Sequence, residues 1–141
     1  MLVHAHSGLR WIVLALLIIA IINAAMNKNS YLKKDKLIGL FAMISLHVQF
    51  LVGMFLYYSS GKVNLSSGWM KSELFRFFGL EHFLGMTIAI ILVTMGYSKS
   101  KKISVPHKKN RTIFIYYSIG LLLLLLFIPW PFRITLGGAW F

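Results

Sequence analysis

The chain has 141 residues, 58% of them hydrophobic, with a mean hydropathy of +0.75 and a formal net charge of +12. A composition this apolar, in which Asp35, Glu73 and Glu81 are the only acids, excludes an ordinary soluble domain and implies an integral membrane protein. The basic residues cluster between apolar segments instead of alternating with aromatics on one face, which argues against nucleic acid as a partner; the lack of cysteine excludes thiolate metal sites, disulfide exchange and covalent c-type haem attachment.

In chain order, four apolar segments near residues 7–26, 37–58, 76–97 and 112–131 are each about twenty residues long, enough to cross about 30 Å of hydrocarbon at roughly 1.5 Å per residue. The first lacks the basic leader of a signal peptide and is followed by lysines, so it reads as a retained helix with its N-terminus outside. The stretch 27–36 carries Lys28, Lys33, Lys34 and Lys36, and the stretch 99–111 carries Lys99, Lys101, Lys102, Lys108, Lys109 and Arg111. The remaining cations, Arg10, Lys62, Lys71, Arg76 and Arg133, fall at the other side. This asymmetry predicts a bacterial cytoplasmic membrane protein with those two loops inside and both termini, with the loop 59–75, on the outer or periplasmic side. Short connections then make an all-α, up-down-up-down four-helix transmembrane bundle, a single domain over 1–141. Trp11, Trp69, Trp130 and Trp140 all fall at the outer boundary, where amphipathic rings prefer to sit. Pro129 and Pro131 are expected to end the last helix, leaving 132–141 as an outer tail.

Histidines inside such segments carry the chemistry. His47 lies eleven residues beyond Lys36, about 16 Å from the inner side, and His82 lies six residues beyond Arg76, about 9 Å from the outer side. Both are expected near one level in the outer half, where two neutral imidazoles from facing helices can ligate the iron of one b-type haem. Gly79 and Gly85 flank His82 at three residues either side, with Met86 and Ala89 on the same face, a small and soft surface that clears a flat macrocycle. Small residues and methionines serve plain helix packing equally well. Arg10, Arg76 and Arg133 are on the same side as the histidines and are candidates to hold haem propionates, although arginines at helix ends also snorkel to headgroups. Glu81 is about 100° from His82 around the helix; it can form an interhelical ion pair with Arg10 or Arg133, or relay a proton to a quinol. Gln49 can support His47 or another helix. His4 and His6 form an H-x-H pair, a weak copper or zinc signal; His6 is also open as an alternative axial ligand or a quinol contact.

The strings His4-Ala-His6-Ser-Gly-Leu-Arg10-Trp11, His47-Val-Gln49, Glu81-His82 and Pro129-Trp-Pro-Phe-Arg133 resemble small bacterial four-helix membrane proteins described as cytochrome b-like, and the resemblance spans nearly the whole chain. It implies a four-helix bundle with haem b and carries His47 and His82 over as the ligands. No helix has two histidines about four turns apart, so the stacked two-haem arrangement of the large respiratory cytochromes b is not expected. The expected function is therefore electron transfer through one bis-histidine haem b, with a quinone or a redox protein as partner. The alternatives are a non-redox accessory or scaffold subunit of a larger membrane complex or homo-oligomer, in which the histidines only bond across helices, and a metal-handling protein built on His4, His6 and methionines.

Overall fold

Long runs of leucine, isoleucine and alanine without an internal proline form four helices in the computed structural model, which describes residues 1–140: α1 (Leu2–Met26), α2 (Lys33–Ser59), α3 (Glu73–Lys102) and α4 (Pro106–Phe127). All four are long and apolar enough to cross a membrane, and the described residues contain no strand. The last residue of the expected 132–141 tail, Phe141, lies outside the described residues.

The helix ends follow local chemistry more than hydropathy. Asp35, in the first turn of α2, accepts the Leu32 N–H at 2.6 Å, and the Ser72 hydroxyl accepts the Phe75 N–H at the start of α3. Pro106, at the first position of α4, has no N–H to leave unpaired. α4 therefore begins six residues before the expected 112, and α3 continues past the expected 97 to Lys102, because charged residues mark the edge of a span and not the end of a helix. α4 also stops at Phe127, short of the expected 131: Pro129 forces its predecessor Ile128 out of helical geometry, to ψ 133. Inside α3, residues Phe77–Glu81 form one π-helical turn, with the His82 N–H bonded to the Phe77 carbonyl five residues back.

Sequential helices run antiparallel. Asn23 near the end of α1 meets Asp35 at the start of α2, His6 meets Gln49, Tyr57 of α2 meets Gly79 of α3, and His82 meets Phe127 of α4. α4 also packs on α1, closing a four-helix ring. The tightest approach is between α3 and α4, where a Cβ on Gly85 would stand 2.3 Å from the Phe127 ring and one on Gly96 would stand 2.4 Å from Tyr116 Cβ. Val13, Leu17, Ala20, Ala42, Leu46, Ala89, Val93 and Tyr117 fill the interior. The outward faces are apolar too, with Ile12, Ile19, Phe41, Leu51, Ile91 and Leu122 exposed.

A polar clamp closes the end of the bundle where α1 leads into α2. Asp35, 4% exposed, accepts from Asn23 and Asn27 at 2.9 Å each as well as from Leu32, and Asn110 of α4, also buried, donates to the carbonyls of Asn27 and Ser30. The Tyr117 hydroxyl donates to the Gly39 carbonyl at 2.7 Å. In the α1–α2 loop, burial pushes the Tyr31 hydroxyl above the ordinary tyrosine range, with a bond to Ser100 acting in the opposite direction. The Asp35→Ala variant removes the acceptor shared by three donors and is expected to lose about 2–3 kcal/mol of stability. A lower thermal midpoint in detergent checks this; an unchanged midpoint contradicts the clamp.

Candidate functional site

At the opposite end, termination of α4 creates the first element of a site. The last carbonyls of a helix have no intrahelical partner, and the Phe127 carbonyl accepts instead from His82 Nδ1–H at 2.6 Å. A carbonyl can only accept, so this bond fixes the proton on Nδ1 and leaves the Nε2 lone pair of His82 uncommitted to it. The π-helical turn stands immediately before His82, and the Gly79 carbonyl within it accepts the Tyr57 hydroxyl at 2.9 Å. His82 is therefore set by α2, α4 and an irregular turn of its own helix.

These elements surround a cavity of about 170 Å³. Apolar side chains such as Val13, Leu46, Phe50, Met86 and Leu124 form most of its wall, and His6, Arg10, Gln49 and His82 supply polar groups. Three buried side-chain nitrogen or oxygen atoms among the described residues have no hydrogen-bond partner in the protein: His6 Nδ1, Arg10 Nε and Gln49 Oε1. All three residues line this cavity. An unpaired buried polar atom costs about 1–3 kcal/mol, and all three such atoms among the described residues belong to side chains of α1 and α2 around this one cavity.

Each of these side chains is nonetheless held. Gln49 Nε2 donates to the His6 carbonyl at 2.8 Å, and Gly53 makes room for the His6 ring, since a Cβ there would fall 3.1 Å from its Cε1. Arg10 Nη2 donates to the carbonyls of Ala139 and Trp140 at 2.8 and 2.9 Å, while its guanidinium lies 5.3 Å from the Trp11 ring centre and 5.8 Å from that of Trp130. Trp11 Nε1 donates to the same Trp140 carbonyl. The tail thus folds back across the mouth, and Gly137, Gly138 and Ala139 line the cavity.

The geometry departs from the sequence expectations at several residues. His47 does not line the cavity. Its Nδ1–H donates to the Met43 carbonyl of its own helix at 2.8 Å, and its Nε2 lies 3.4 Å from Thr94 Oγ1, twelve residues or about 18 Å along α3 from His82. The inward stripe of α2 runs Ala42, Leu46, Gln49 and Gly53, which puts His47 about 100° away from Leu46 around the helix. Gly85 clears no macrocycle, because the Phe127 ring fills the space beside it, and Gly79 is covered by Leu65 and Trp69. Arg76 pairs with Glu81 at 2.8 Å, so Glu81 meets neither Arg10 nor Arg133. Arg133 lies 3.9 Å from Glu73 and over the Phe77 ring. His6, Arg10 and His82 are the expected site residues that the cavity does bring together. The neighbouring His4 is exposed, and no group of three or more His, Cys, Asp or Glu side chains able to hold a metal occurs among the described residues.

The signal for His6 was present in the spacing: His6, Arg10, Val13, Leu14 and Leu17 recur at helical intervals on the one face of α1 that is turned inward. The role of Phe127 had no comparable signal, because it rests on a backbone carbonyl and on a ring filling a glycine notch. Two imidazoles thus line one largely apolar cavity: His82 has Nδ1–H on a backbone carbonyl, and His6 has Nε2 3.5 Å from Gln49 Nε2 and Nδ1 unpaired. The cavity is partly open, and its volume is close to the roughly 150 Å³ that admits a single benzene ring, so as it stands it does not hold a four-ring macrocycle unless the tail moves aside.

Gly85→Ala tests how far the site depends on helix contact. The added methyl meets the Phe127 ring and is expected to cost about 1–3 kcal/mol while loosening the His82 anchor. A thermal midpoint in detergent equal to that of the unsubstituted protein contradicts this packing. No family model, curated protein or solved structure matches the chain.

Proposed function

We propose that the protein is an electron carrier of the bacterial cytoplasmic membrane that binds one haem b between His6 and His82. The membrane setting is supported by four spans of sufficient length with apolar outer faces. The excess of lysine and arginine in the α1–α2 and α3–α4 connections supports an orientation with those loops inside and both termini outside. The observation that carries the cofactor reading is that His6 and His82, from α1 and α3, line one largely apolar cavity whose surrounding side chains keep unpaired polar atoms.

In this reading, haem would supply reversible one-electron chemistry when bound, and His6 and His82 would hold it. The chain's own residues do the rest. The Phe127 carbonyl holds the His82 tautomer that presents Nε2, Gln49 and Gly53 seat His6, and the apolar wall excludes water. Arg10, now on two tail carbonyls, and Lys62, on the Gly137 carbonyl, are the cations on the cavity wall that would meet propionates once the tail gives way. The accompanying mouth of Trp11, Trp130 and the tail suits a quinone or a redox protein as electron partner. A second reading has independent support: a quinone head group, one six-membered ring with two carbonyl acceptors, suits a cavity of about 170 Å³ without displacing the tail and finds an unpaired donor in Arg10 Nε.

A dithionite-reduced minus oxidised spectrum of protein purified from membranes separates these readings. Haem b gives a sharp Soret change that is abolished or broadened in His6→Ala and in His82→Ala and retained in His47→Ala. A colourless protein carrying an extractable quinone favours the second reading. Haem binding lost only in His47→Ala overturns the pairing proposed here.

A further inference from the structure

The basic end of the bundle carries a second concavity with a different chemistry. Tyr31, Lys36, Lys101 and Lys109 line a hollow of about 220 Å³. Its three lysines come from separate elements, the first turn of α2, the last turn of α3 and the first turn of α4. Lys109 Nζ lies 4.9 Å from the Tyr31 ring centre and Lys101 Nζ 5.4 Å from that of Tyr97, so aromatic faces shape two of the three. None of the three lysines forms an ion pair, both ion pairs among the described residues being at the far end, and the one carboxylate nearby, Asp35, is buried on Asn23, Asn27 and the Leu32 N–H and offsets at most one of the three charges. Like charges gathered around one hollow repel each other unless an anion sits between them.

We propose that this hollow binds a phosphate group, as carried by the headgroup of an anionic phospholipid in the inner leaflet. The site stands apart from the histidine cavity and owes nothing to haem, but its lipid source rests on the membrane orientation given above. Ammonium groups act on phosphate as point charges and need no fixed fork geometry, which suits three flexible lysines around an open basin. The ends of α2, α3 and α4 meet there at the predicted inner interface, where lysines are drawn to the negative leaflet. A glycerophospholipid phosphate would then tie three helix ends together from outside, next to the clamp that Asp35 and Asn110 make from within.

The test uses the full chain in detergent. Native mass spectrometry compares retention of phosphatidylglycerol and phosphatidylcholine by the unsubstituted protein, by Lys36→Gln/Lys101→Gln/Lys109→Gln, and by a control of equal charge change, Lys28→Gln/Lys34→Gln/Lys108→Gln. At roughly a factor of five per lysine, the first triple variant is expected to bind phosphatidylglycerol on the order of 100-fold more weakly, and the control to keep it. Equal loss in both triples, or equal retention of phosphatidylcholine, overturns the proposal. Displacement of phosphatidylglycerol by millimolar inorganic phosphate, in the unsubstituted protein and the control alike, upholds the phosphate site and assigns it to soluble phosphate. Alkaline extraction of membranes tests the membrane reading separately, because a protein released by that wash fails it whatever the lysines bind.

Discussion

The bond from His82 to the Phe127 carbonyl is the contact on which the candidate site depends. It exists because Pro129 stops α4, and a stopped helix leaves carbonyls that something else must satisfy. In an apolar bundle little water is on hand to do so, and an imidazole from the neighbouring helix takes the role. The same residue fixes position as well as bonding, since its ring occupies the space that Gly85 leaves open. One residue at a helix end therefore sets the distance between α3 and α4 and the tautomer of the histidine between them.

Polar groups elsewhere obey the same constraint, and the contrast between the two ends of the bundle marks the candidate site. At the basic end, Asp35, Asn23, Asn27 and Asn110 satisfy one another, which is the pattern of a structural clamp. At the other end, His6, Arg10 and Gln49 each keep a buried atom without a partner around a hollow. A fully paired network rigidifies, whereas a partly paired one keeps polar atoms whose burial costs free energy until something partners them. The Arg10 grip on the tail carbonyls has features of both, a cation held ready under a strap that contains Gly137 and Gly138.

The helices were legible in the sequence because hydropathy over about twenty residues is a strong signal, and their order followed from short connections. Their ends were less so: α4 begins with Pro106 among charges that a search for apolar residues passes over. The site was half legible. His82, Arg10 and His6, singled out for their chemistry, line the cavity, whereas His47, placed opposite His82 from depth alone, does not. Depth counts rise along the axis and says nothing of rotation, and the stripe Ala42, Leu46, Gln49, Gly53 had already assigned the inward face of α2 to its carboxamide. The π-helical turn before His82 had no signal in composition, since it changes hydrogen-bond register without changing hydropathy.

The central claim is that α1 and α3, and not α2 and α3, supply the two nitrogen ligands. Titration of haemin into the purified, cofactor-stripped chain tests it most directly, with absorption read at each addition. One equivalent is expected to give a six-coordinate low-spin spectrum in the unsubstituted protein, and that spectrum is expected to be lost when either His6 or His82 is replaced by alanine. No saturable binding, or a low-spin spectrum unchanged in both of those variants, contradicts the account.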